Sequence, residues 1–129
     1  MNLFTVDLKN QPGELAHLGE VFGQRGVNIE VGGVTAGDHG FVYFTASDEN
    51  AARAALEAAN VPYTTHTAFQ IKCADQPGEA GRFARKLADA NINIEGLLPI
   101  SICGGEVIFA ACVDQLDEAR QLLGEQVIS

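Results

Sequence analysis

No stretch of this 129-residue chain is rich in glycine, serine and proline or in charge of one sign, and 47% of its residues are hydrophobic, so nothing in it suits a disordered segment. Long apolar runs are missing as well. The N-terminal MNLFTVDLKN has neither the basic nor the apolar region of a secretory signal, and a cytoplasmic protein without a membrane span is expected. Cysteine is scarce and odd in number. Cys73, Cys103 and Cys112 show no CxxC spacing and lie in apolar, strand-like runs, which speaks against a disulfide framework and a zinc site and for buried thiols in a reducing compartment.

Positive charge is also in short supply. Eight Lys and Arg face seventeen Asp and Glu, for a net charge of -9. Residues 1–67 hold eight acids and three bases, and residues 68–129 hold nine acids and five bases, so the excess is spread along the chain. Such a surface repels phosphate backbones and anionic lipid, and neither a nucleic acid nor a membrane is expected as a partner. The one basic cluster, Arg82, Arg85 and Lys86, reads as a solvated helix face. There is no GxSxG, HExxH or P-loop, and no cysteine with an evident base partner. His17, His39 and His66 are scattered, away from metal-ligand spacing. No catalytic residue, metal or cofactor is therefore expected, and the chain does not read as an enzyme.

What the sequence does contain is a repeat. NQPGEL begins at Asn10 and DQPGEA at Asp75. At the constant offset of sixty-five, Gln11, Pro12, Gly13 and Glu14 match Gln76, Pro77, Gly78 and Glu79, while Asn28, Ile29 and Glu30 match Asn93, Ile94 and Glu95. Between these blocks, Leu15, Leu18 and Phe22 share a helical i, i+3, i+7 face with its counterpart Ala80, Phe83 and Leu87. Duplication accounts for this, with one domain over residues 1–67 and a second over residues 68–129.

Each copy reads as strand, helix, strand, strand, helix, strand. LFTVDLK and FQIKCA are strands that stop at the Pro-Gly turn, where proline presets φ for a first helical turn. The helices end near Gly26 and Asn91, both tolerant of a left-handed C-cap. VNIEVGGVT and FVYFTA, then INIEGLLPIS and EVIFAACV, are strand pairs joined at GDHG and CGG. A second helix follows Ser47 and Asp48 in the first copy and Asp114 in the second, the expected N-caps. VPYTTHT supplies a fourth strand, and its counterpart QVIS is short. The expected fold is α+β: two ferredoxin-like βαββαβ domains packed side by side so that edge strands are covered.

NQPGELAHLGEVFGQRGVNIE and DQPGEAGRFARKLADANINIE each resemble the ACT domain, a small regulatory module that binds amino acids. The shared features are an Asn/Asp-x-Pro-Gly turn opening the first helix and a Gly-x-Asn-Ile segment opening the second strand. The chemistry suits such a ligand. The first N–H groups of a helix lack intrahelical partners and favour a carboxylate, glycine lets it approach, and an Asn amide offers a donor and an acceptor.

The resemblance implies a ligand between two ACT units, held by the turn of one and the second strand of the same unit or its neighbour. Carried onto this chain, the ligand-binding residues are Asn10, Gln11, Pro12, Gly13, Asn28 and Ile29 in the first copy and Asp75, Gln76, Gly78, Asn93 and Ile94 in the second. Asn91 stands in place of Gly26, and Leu8 and Cys73 stand where some serine-binding members have a histidine. The glycines Gly32, Gly33 and Gly37 have no counterparts in the second copy, which suggests that one binding surface is more open. The expected function is a small non-enzymatic sensor of an amino acid or similar metabolite, forming a homo-oligomer and acting on a partner enzyme of amino-acid metabolism. The same repeats also suit a ligand-free oligomerisation module. A glyoxalase-like metalloenzyme is a third reading, against which stand the second helix in each repeat and the non-recurring histidines.

Overall fold

The computed structural model describes all 129 residues. The chain forms β1 (Asn2–Lys9), α1 (Glu14–Gly23), β2 (Ile29–Ala36), β3 (His39–Ala46), α2 (Glu49–Ala58), β4 (Thr64–Thr67), β5 (Phe69–Ala74), α3 (Glu79–Asp89), β6 (Ile94–Cys103), β7 (Glu106–Val113) and α4 (Leu116–Leu123), then a 3₁₀ turn at Gly124–Gln126. It divides into two compact units, one from Asn2 to His66 and the other from Thr67 to Ser129 together with Met1. No helix is long and apolar enough to cross a membrane.

In the N-terminal unit the sheet order is β2-β3-β1-β4. Antiparallel pairing sets Phe4 opposite Phe44 and Val6 opposite Val42, and strand alternation sends all four side chains to one face. There they meet Leu18 and Phe22 of α1 and Ala52, Ala55 and Leu56 of α2 in one core. The C-terminal sheet runs β5-β7-β6 over a core of Phe69, Ile71, Phe83, Leu87, Ala119 and Leu123. Its fourth strand is reduced to a bridge between Ile71 and Val127, flanked by Gln70 N to Ser129 O and Ile128 N to Gln70 O at 3.2 and 2.9 Å. The brevity of QVIS thus has a direct structural result. Both units also carry a guanidinium over their first core phenylalanine: Arg53 over Phe4 at 5.4 Å and Arg120 over Phe69 at 5.5 Å.

The Pro-Gly turns differ from the expected geometry by one position. Gly13 and Gly78 have φ of 91° and 87°, and the helices begin only after them, at Glu14 and Glu79. A proline followed by a positive-φ glycine is a type II turn, closed in the second copy by Glu79 N donating to Gln76 O at 3.2 Å. Proline therefore sets the turn and not the first helical residue. The left-handed C-terminal residues are as expected, with φ of 67° at Gly26 and 59° at Asn91.

The caps of the second helices are unequal. Asp48 accepts a hydrogen bond from Ala51 N at 3.0 Å, so Asp48→Ala is expected to cost about 1 kcal/mol in a urea titration. Loss of less than a few tenths would mean that water replaces the carboxylate. Asp114 is not a cap. Gln115 occupies that position without a side-chain bond, and Asp114 Oδ1 instead accepts from Asn93 N at 2.9 Å, as Ser47 Oγ does from Asn28 N at 3.0 Å. These partners show that the repeat offset has grown from sixty-five at Asn28/Asn93 to sixty-seven at Ser47/Asp114. The two extra residues are bulges in β6, where the register slips between Ile94 and Gly96 and again between Pro99 and Ser101, leaving Glu95 and Ile100 out of the ladder.

Cys73 and Cys112 are buried as expected, but Cys103 is exposed. It ends β6 just before the Gly104–Gly105 hairpin turn, beyond the reach of the core.

Candidate functional site

The end of β1, the Pro-Gly turn and the first turn of α1 face the outer strand β2 across a cleft of about 410 Å³, a size suited to one small metabolite. Its polar end is the turn. Asn10 is held there twice, its backbone N donating to Asp38 O and its side-chain Nδ2 to Gly37 O, both at 2.9 Å. This fixes the amide orientation against the β2–β3 hairpin and turns Asn10 Oδ1 into the remaining acceptor. Glu14 Oε1 accepts from Lys9 N at 3.2 Å, which bridges strand end and helix start. The α1 N–H groups that open the helix supply the positive end of its dipole.

The walls come from Leu8, Leu15, Val31 and Val42, with Gly33 and Gly40 between them. By alternation from the core residues Val42 and Phe44, Val31, Gly33 and Thr35 lie on the α1 side of the sheet, while Val34 and Phe41 pair on the opposite face. Leu15 was expected to be buried with Leu18 and Phe22. It is 57% exposed and lines this cleft, and its counterpart Ala80 is exposed as well.

The structure brings Asn10 and Gln11 together at the cleft, with Pro12 and Gly13 forming the turn between Gln11 and Glu14. It does not bring Asn28 and Ile29 there. They lie at the opposite end of β2 from the turn, outside the residues that line the cleft, where Asn28 N and O pair with Ser47. Sequence reasoning passed over Glu14, Leu15, Val31 and Gly40; the available signal was the glycine pair of β2 at a position where the other copy has none.

The C-terminal turn keeps its motif but differs around it. Asp75 N donates to Gly105 O at 2.8 Å, the counterpart of the Asn10 bond to Asp38. Arg82 folds back over the turn, donating to Glu79 Oε2 at 2.8 and 3.1 Å and to Pro77 O at 3.4 Å. A side chain at Gly78 would meet its Nη1 at 3.1 Å. The Arg82 guanidinium holds the Glu79 carboxyl below the usual range. With the bulges counted, Leu98 and Pro99 occupy the places of Gly32 and Gly33, Val107 that of Gly40 and Phe109 that of Val42. Gln76 and Gly78 belong to this closed turn, while Asn93 and Ile94 stand at the far end of β6 beside Asp114. No group of three or more His, Cys, Asp or Glu is placed to hold a metal ion.

No protein-family model and no curated protein matches the sequence. Solved structures do match the fold. A protein from Bacteroides thetaiotaomicron aligns with a TM-score of 0.85 and 18% identity over 98% of this chain and 90% of that one. The regulatory subunit of aspartate kinase from Thermus thermophilus, in its ligand-free form, gives 0.69 and 14% over 97% and 90%. The regulatory subunit of the Thermus flavus enzyme gives 0.68 and 14% over 95% and 86%. At these identities the likeness is one of fold, and that fold is the α+β, ACT-like one expected from the two turn motifs.

Proposed function

We propose that this chain is a small non-enzymatic sensor that binds a free amino acid in the cleft of its N-terminal unit and passes the signal to a partner protein. The observation that carries this reading is the cleft itself, where a positive helix end, the Asn10 amide and the Glu14 carboxylate meet within one small-molecule-sized space. A carboxylate is stabilised by the first N–H groups of α1, and an ammonium by Glu14 and Asn10 Oδ1. The likeness to regulatory subunits of aspartate kinase supports a regulatory role and a partner enzyme in amino-acid metabolism. Three cysteines outside any disulfide suit the cytoplasm.

Homo-oligomerisation belongs to the same reading. β2 is the outer strand of its sheet, with Val31 exposed on one face and Val34 and Phe41 on the other. An unpaired edge with apolar residues on both faces favours a second strand beside it. Antiparallel pairing of β2 with its own copy would bring the partner's start of β2 to the cleft end, which gives Asn28 and Ile29 a route to the ligand. Binding would then tighten the assembly, because the ligand favours the paired state.

A melting-temperature panel of the L-amino acids at millimolar concentration tests this. At least one is expected to raise Tm by several degrees. Glu14→Gln should weaken that ligand about tenfold by removing the charge opposite its ammonium. A flat panel would leave an oligomerisation module as the better account.

A further inference from the structure

Most polar side chains of the cleft are gathered at one end, and beyond them the side-chain lining is hydrocarbon apart from Thr35. Lys9, Asn10, Gln11 and Glu14 all belong to the turn or the residues flanking it. Beyond the turn, Thr35 is the only lining side chain able to form a hydrogen bond. Leu15 and Val31 are 57% and 46% exposed, so α1 and β2 each hold one large hydrocarbon side chain in water at the cleft. Between them, Gly33 and Gly40 keep the floor low. A Cβ at Gly33 would come within 3.0 Å of Phe41 O, and one at Gly40 within 3.7 Å of Leu8 Cβ.

A polar ligand side chain lying here would give up water and find few partners, whereas an apolar one would cover hydrocarbon already exposed. Charge is complementary too: the carboxylate of Glu14 and the positive end of α1 stand together at the turn, matching the two charges of a zwitterion while its side chain points away along the wall. The C-terminal unit supplies a comparison within the same chain. It has the same turn, but Pro99, Val107 and Phe109 fill the floor and Arg82 engages Glu79.

Resting on the sensor reading above, we propose that the N-terminal cleft selects an L-amino acid with a branched aliphatic or aromatic side chain, and that the chain binds one such molecule. The full chain is titrated calorimetrically with L-leucine, L-phenylalanine, L-serine and L-asparagine. Leucine or phenylalanine is expected to bind at least about tenfold more tightly than serine, with one site per chain. Leu15→Asn and Val31→Thr, at exposed positions that the fold tolerates, should each reduce that preference several-fold while circular dichroism stays unchanged. Equal or tighter binding of serine or asparagine overturns the apolar class and leaves the sensor reading standing. Two sites per chain overturn the single-cleft assignment. Binding of none of the four, with no response to any other amino acid, removes both readings. If the two variants alter the sedimentation coefficient but not leucine binding, the wall is an interface between copies and the proposal fails.

Discussion

Phe44→Ala should destabilise the N-terminal unit by about 3–5 kcal/mol, a large part of the stability of a domain this size. Phe44 is fully buried in β3, opposite Phe4 in the register. Its ring stacks on Phe4 at 5.2 Å with an 8° interplanar angle and takes Phe22 edge-on at 5.0 Å. Truncation removes aromatic contacts to a strand and a helix at once and leaves a cavity that neither can close without breaking its own packing. The chain has no tryptophan, and both tyrosines, Tyr43 and Tyr63, lie in this unit, so tyrosine fluorescence during urea unfolding reads the affected half. Phe44→Leu should cost distinctly less because it retains most of the volume. A loss below about 1.5 kcal/mol for the alanine variant would show that the core collapses around the gap.

The second large effect is on thiol chemistry. Cys103 is exposed beside the β6–β7 turn, whereas Cys112 is 1% exposed and Cys73 3%. Burial pushes the Cys112 thiol up to about 11, helped by the nearby charge of Glu95, and burial together with Glu79 raises Cys73 in the same direction. The thiolate is the reactive form, and two units of pKa make it about a hundredfold rarer at pH 8. A disulfide reagent should therefore modify one thiol per native chain rapidly and the two buried ones more slowly, Cys112 by at least about a hundredfold. Three thiols reacting at similar rates would contradict the burial of β5 and β7.

The same shift carries a sign for stability. Below the unfolded thiol pKa near 9, both states hold the Cys112 proton. Above it the unfolded chain ionises first, so stability is lost as pH rises from about 9 to 11, by roughly 2–3 kcal/mol at the upper end. Urea midpoints at pH 8 and 10.5 should differ more in the native sequence than in Cys112→Ala.

Much of the architecture was legible from residues alone, because it is carried by local chemistry. Proline followed by a glycine free to take positive φ makes the same turn wherever it occurs, as Gly13 and Gly78 do. Gly26 and Asn91 close helices for the same reason. Periodicities of two and of three to four then distinguish strand from helix, and their repetition at an offset of sixty-five gives the order of elements in both halves.

Other features required the tertiary structure, because they depend on what lies beside a residue and not on its neighbours in the chain. Helical spacing assigns Leu15 to the face of Leu18 and Phe22, but it lines an open cleft where no neighbouring element covers it. An apolar strand pattern includes Cys103, yet the strand outruns the core before reaching it. Asn10 and Asn28 look like partners in a motif and stand at opposite ends of β2. The bulges at Glu95 and Ile100 matter most, since a shift of register changes which side chain faces which element. Register gives Pro99 the place in its own sheet that Gly33 has in the first, and with Arg82 folded over the second turn it separates an open cleft from a closed turn.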